Sequence, residues 1–196
     1  MKHATKHLTA VAIVGALLCG GCATHADSSP KQSPTSSQSR SQKPTPKSGW
    51  EDGPPTLPIE AQRNTQEGAI AAGEYFIKTH DYAVQTGDTA PMQRAIANEG
   101  LAPKEIAHLK AKIKKIGLWV SDRASMKFVA SEPRDGGVLY VQYLVHNAPQ
   151  TSVDDPTKKN NGAMLDYGIN FLYIDGAWKV KEYGIREAKN IGKTGQ

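Results

Sequence analysis

The sequence predicts an α+β domain: three N-terminal helices packed on a curved antiparallel sheet of about four strands, preceded by a disordered linker. Three observations point there. Apolar residues recur at helical spacing from Ala69 to Ile116, alternate with a period of two from Leu118 to Ile185, and the second half is punctuated by Asp-Gly turns. Helices first and a strand meander second place the two kinds of element in separate layers.

Each element has its own signal. Asn64-Thr65-Gln66-Glu67 reads as a capped helix start, with Glu67 three residues beyond Asn64. Ala69, Ile70, Gly73, Phe76, Ile77, His80 and Val84 then mark one helical face, and Gly87 stops the helix. Asp88-Thr89 with Pro91 opens a short second helix carrying Met92, Ala95 and Ile96. A third begins near Pro103, with Ile106, Leu109, Ile113 and Ile116 on one face, lysines mostly off it, and Gly117 at its end. Leu118–Val120 and Ser125–Ser131 read as strand, the second continuing the first across a bulge at Asp122-Arg123. Asp135-Gly136-Gly137 turns into Val138–His146, and Ala148–Gly162 reads as a polar loop. Met164–Ile174 is a long strand with Leu165, Tyr167, Ile169, Phe171 and Tyr173 on one face; the tight turn Asp175-Gly176 leads into Trp178–Ile185.

The chain ahead of this domain is of another kind. Lys2 and Lys6 precede an eleven-residue apolar run, Leu8–Leu18, and then Cys19-Gly20-Gly21-Cys22. A basic start, a 7–15-residue apolar core and small residues describe an export signal, and the run is shorter than the roughly 20 residues a spanning helix needs. From Ser28 to Lys47 there are seven Ser, four Pro, four basic residues and no aliphatic or aromatic side chain. Such a segment cannot bury enough apolar surface to offset its ordering entropy. The expected organisation is a signal peptide at 1–21, a Ser/Pro-rich tether at 22–57, the folded domain at 58–187 and a tail at 188–196.

The formal charge of +5 does not make this a nucleic-acid binder. Six of the 24 basic residues but one of the 19 acidic ones precede residue 51, so 51–196 is formally neutral. Gripping phosphates takes a concentrated cationic footprint.

Gly20-Gly21-Cys22 resembles the end of the bacterial lipoprotein signal, with Cys19 where that family usually has Leu. The resemblance implies cleavage before Cys22, its acylation with palmitate-type chains, and a protein held on the extracellular side of the cell membrane. The helix ending at Gly87-Asp88, the short helix opening near Pro91 and the closing Asp175-Gly176-Ala177-Trp178-Lys179-Val180 resemble the nuclear transport factor 2-like, or cystatin-like, cone superfamily. More narrowly, the signal, the tether and Pro58-Ile59-Glu60-Ala61 resemble an uncharacterised family of actinobacterial lipoproteins. In that family a close cysteine pair often lies between the second and third helices; Asn98–Glu105 has none.

Membership of that family implies no known activity, and the fold does not choose a function; the reach of the tether motivates the leading expectation, a lipid-anchored, non-enzymatic envelope protein whose cone binds a small apolar ligand or an envelope protein. Two alternatives stand beside it: a pocket enzyme of isomerase or dehydratase type working by proton transfer, and a homodimeric interaction domain. For the enzyme, a carboxylate and a phenol would have to converge on an apolar pocket; Asp166, Tyr167 and His80 are the first candidates. No cofactor or metal is expected, since His108 and His146 have no partner at ligand spacing. Gly136-Gly137 reads as a turn, and Gly192-Lys193-Thr194 lacks the first glycine of a phosphate loop.

Overall fold

The computed structural model describes residues 46–188. The signal peptide, Cys22, most of the tether and nearly all of the tail lie outside them. The described residues fall within one compact unit, Gln42–Gln196, and no helix among them is long and apolar enough to cross a membrane.

A single 3-10 turn at Ile59–Gln62 leads into α1 (Gln66–Thr86). The cap of α1 is Thr65 rather than Asn64: its side-chain oxygen accepts from the Gly68 amide at 3.1 Å, satisfying one of the unpaired donors of the first turn. α2 (Ala90–Ala95) and α3 (Ala102–Ile116) follow, each with a proline in its first turn. Gly87 and Gly117, both at positive φ, end α1 and α3.

Six strands follow: β1 (Trp119–Val120), β2 (Ser125–Arg134), β3 (Val138–Asn147), β4 (Thr151–Ser152), β5 (Ala163–Ile174) and β6 (Ala177–Glu187). The four long ones form an antiparallel meander in the order β2-β3-β5-β6, with bulges at Phe128/Ala130 and in β6 opposite Asn170/Phe171. Asp175 and Gly176 take φ of 51° and 78° between β5 and β6, the backbone that a two-residue turn needs to match strand twist.

Two expectations are corrected here. Leu118–Val120 does not run on into β2: Trp119 and Val120 pair instead with Ser152 and Thr151, making a separate two-stranded ribbon out of the segment read as a polar loop. And the folded domain starts before residue 58. Trp50, assigned to the tether, is only 6% exposed. Its indole N–H donates to Asp81 Oδ2 at 2.8 Å, while Ser48 Oγ and the Gly49 amide donate to Gln85 Oε1 at 3.0 and 3.2 Å. The Arg123 guanidinium covers the indole at 4.0 Å and pairs with Asp52. One large aromatic with a polar partner at its tip suffices to pin this stretch.

The core lies between α1 and the face of the sheet carrying Val141, Tyr143, Ile169, Phe171 and Val180. Contact between the layers is close at Gly73, where a Cβ would come within 2.7 Å of the Tyr143 ring; the Tyr143 hydroxyl donates to the Ile70 carbonyl.

Candidate functional site

The layers close at one end and part at the other. At the closed end, the Trp178 indole and the Tyr173 hydroxyl each donate at 2.8 Å to the carbonyls of Arg63 and Gln62. The chain between α2 and α3 is stitched to β6 through Ala97 N–H to Val180 O and Leu101 N–H to Lys181 O. Phe76 and Met92 are completely buried there.

Moving along α1 from Phe76 to His80 to Val84, side chains pass from full burial to partial exposure. The apolar stripe of α3 follows the same gradient: Ile106 is 3% exposed, Leu109 and Ile113 are half-buried, and Ile116 is 49% exposed. Between the two stripes runs a groove of about 550 Å³, with Leu165 and Ile185 as its sheet wall, a volume within the ordinary range for small-ligand sites.

The β1–β4 ribbon and the 150–160 hairpin that carries β4 make the remaining wall, contributing Trp119 from β1 and Gln150 and Asn160 from the hairpin, with Asn147 from the end of β3. Asn160 Nδ2 donates to Gln150 Oε1 at 2.9 Å, and its own Oδ1 accepts from the Gly162 amide at 3.0 Å. The hairpin is thus braced from within. Sequence reading missed it because two residues of strand inside a polar run carry no periodicity.

Tyr167 and His80 come together at the bottom of this groove, Oη and Nδ1 3.3 Å apart. Burial, helped by the nearby Lys112 charge, pulls the His80 pKa down to about 4. Burial pushes the Tyr167 hydroxyl well above the usual phenol range, with the Asp81 charge adding to it, and pushes Tyr183, whose ring is 6.3 Å from that of His80, up to about 12. Both tyrosines stay protonated and His80 stays neutral near pH 7.

Asp166 does not join them. Successive strand residues face opposite sides, so with Tyr167 on the helix-covered face, Asp166 lies on the other. There it accepts from Gln142 Nε2 at 2.8 Å and from Arg186 Nε and Nη2 at 2.9 and 2.6 Å. A carboxylate gripped at two points by guanidinium is a structural pair, and the three candidates do not converge on one point. A different carboxylate, Asp81, shares with the His80–Tyr167 pair the lining of a cavity of about 20 Å³. It accepts from Trp50, from Gln85 Nε2 (3.1 Å to Oδ1) and from the Ala124 amide (3.2 Å). Its oxygens are thus engaged in holding the N-terminal segment. Among the described residues no cluster of three or more His, Cys, Asp or Glu could hold a metal.

Three helices against one face of a curved antiparallel meander, closed at one end and open at the other, define a cone-shaped α+β protein of the nuclear transport factor 2-like, or cystatin-like, type. The chain belongs to the family described as "Family of unknown function (DUF6318)", whose model matches residues 42–183. Among solved structures it is similar to the intermembrane space region of the chloroplast protein ARC6, at 13% identity and a TM-score of 0.51, over 64% of this chain and 99% of that one. An uncharacterised protein with a cystatin-like fold from Caulobacter vibrioides is similar at 12% identity and a TM-score of 0.43, over 63% of this chain and 92% of that one. An NTF2-like protein of unknown function from Shewanella baltica is similar at 10% identity and a TM-score of 0.40, over 64% and 100%. These likenesses concern fold alone. No curated protein matches the chain.

Proposed function

We propose that this is a lipid-anchored cell-envelope protein, held to the extracellular side of the membrane through Cys22, whose domain binds a small, mostly apolar ligand in the groove between α1, α3 and the sheet. The observation that carries the binding reading is the apolar stripe of α3, which continues past the core: Leu109 packs against the core's edge and lines the groove, and Ile113 and Ile116 beyond it line the groove outside the core cluster. Apolar surface held open in this way gains about 25 cal/mol per Å² when a ligand covers it. The basic start, apolar run and Gly20-Gly21-Cys22 support the anchor; two or three acyl chains hold where one is marginal.

Each half has its own test. Cells fed radiolabelled palmitate should label the wild-type protein and leave Cys22→Ala unlabelled and released; unlabelled wild type would remove the anchor. The groove is tested on residues 42–196, the compact unit, with the fluorescent probe N-phenyl-1-naphthylamine. Emission should rise on binding, and Ile113→Asp should abolish the rise while leaving the thermal transition cooperative. Binding unaffected by that charge would place the probe elsewhere.

A further inference from the structure

The solvent side of α3 carries more positive charge than the helix itself uses. Lys104, Lys110, Lys112, Lys114 and Lys115 are all exposed, and the exposed residues among them are Ala107, His108 and Ala111. The one acid of α3, Glu105, is half-buried, and among the described residues no ion pair involves any of the five lysines. Two cations in the last turn, Lys114 and Lys115, are enough to complement the carbonyl end of a helix; the other three lie outside that turn. At the helix end Asp154 rests against Gly117, in a hairpin where Asp154 and Asp155 offset Lys158 and Lys159. Since 51–196 is formally neutral, the excess on α3 is balanced elsewhere in the domain.

The way the chain enters the domain indicates what this face meets. The Gly49 amide donates to the Ser121 carbonyl at 2.8 Å. Ser121 lies five residues beyond Ile116, so the segment arriving from Cys22 joins the domain within about 18 Å of the end of α3. About 25 residues separate Cys22 from Lys47, a length whose average reach is on the order of 30 Å. Ile116, 49% exposed, and half-buried Ile113 border the lysines along the groove's rim. Lysines flanking an apolar edge are the composition of a helix that lies in a membrane interface.

We propose, on the reading that Cys22 is acylated, that the lysine-rich side of α3 docks on the anionic headgroups of the membrane that holds the anchor. Each lysine brought to such a surface strengthens binding about fivefold, modest singly and sufficient when a short connection keeps the surface close. Docked in this way, the groove's rim at Lys112 and Ile116 meets the bilayer, and an apolar ligand passes between lipid and groove without crossing open water.

Vesicle cosedimentation of the chain Cys22–Gln196 carrying Cys22→Ser tests the surface without an acyl group. Vesicles of one part phosphatidylglycerol to two parts phosphatidylcholine should bind it, phosphatidylcholine alone should not, and half-molar NaCl should release it. Lys110→Gln/Lys114→Gln/Lys115→Gln, which leaves Lys112 in the groove, should weaken binding at least about twentyfold. Arg63→Gln/Lys78→Gln/Lys127→Gln removes as many exposed charges from outside α3 and should weaken it less than about threefold. A cooperative thermal transition in both triple variants checks that each is folded. Equal weakening by the two would reduce the effect to net charge, and binding untouched by either would assign it to the cations ahead of residue 46; both outcomes overturn the proposal. Equal binding to the two kinds of vesicle, or displacement by inorganic polyphosphate at matched phosphate concentration, would also overturn it, the latter by making the face a site for soluble polyanions. Failure of the anchor reads differently: Cys22 unlabelled by palmitate beside α3-dependent vesicle binding would remove the anchor and with it the tethered docking. Labelled Cys22 without α3 dependence would overturn the docking and leave the anchor standing.

Discussion

The closed and open ends of the cone use the same helices and opposite packing. At the closed end α1 presents Phe76, which has no exposure, and β6 presents Trp178, held by a hydrogen bond to the Arg63 carbonyl. One turn further along α1, His80 touches two tyrosine rings edge-on, and a turn beyond, Val84 faces the groove. The apolar pattern of a helix therefore does not by itself say where a core stops. What ends it here is the opposite wall, which changes from the long strands to the short β1–β4 ribbon and the 150–160 hairpin braced by Gln150 and Asn160.

The largest effect should separate the ends. Phe76→Ala opens a cavity in a filled core and should cost about 3–5 kcal/mol in urea unfolding. Ile116→Ala, half exposed beside the groove, should stay within about 0.5 kcal/mol. Equal losses would break the comparison. Next is Asp81→Ala, which leaves the Trp50 indole and the Ala124 amide without their acceptor; about 2–3 kcal/mol is expected. Trp50 emission should shift red as its segment loosens, and an unchanged spectrum would count against the clasp.

Gly73→Ala sets two terms against each other. Alanine gains about 1 kcal/mol of helix propensity, but its methyl would meet the Tyr143 ring, and overpacking costs about 1–3 kcal/mol. The collision wins, for a net loss of roughly 1 kcal/mol by urea unfolding. A stabilised variant would mean the layers have more room than their spacing implies.

His80 marks the boundary through pH. Its folded pKa of about 4 lies below the ordinary 6.5, so between these values the unfolded chain takes up a proton that the folded one refuses. Stability is full above pH 6.5, falls as pH drops towards 4, and levels off below. His80→Gln should flatten that slope; a slope preserved in the variant would assign it to other groups. The smallest effect is expected at the open wall. Asn160→Ala removes the rung to Gln150 and the acceptor for the Gly162 amide, costing under about 1 kcal/mol and speeding amide exchange over 150–162. Exchange no faster than wild type would show the hairpin is held by other means.

Much of the fold was legible because it rests on local chemistry. The Asp175-Gly176 turn, the helix stops at Gly87 and Gly117 and the alternation through β5 all act over a few residues. The parity separating Asp166 from Tyr167 was readable too, but which face the helices would cover, and so which residue would meet His80, depended on contacts across the chain. Asp81 and Trp50 are 31 residues apart and joined by one hydrogen bond; nothing local to either announces the other. A lone tryptophan at the end of a segment otherwise free of apolar side chains was the available hint. Ile106 through Ile116 read correctly as one stripe, yet spacing alone gives equal weight to residues facing protein and residues facing an opening.

The Trp50 clasp has a mechanical meaning. Tension arriving from upstream of residue 46 is taken up where Ser48, Gly49 and Trp50 grip the last third of α1, at Asp81 and Gln85, and the stretch from Gly53 to Asn64 stays slack until that grip fails. The helix cap at Thr65 is therefore spared the first load, and the joint that would yield earliest backs onto the floor residues His80 and Tyr167 through the small cavity beside Asp81.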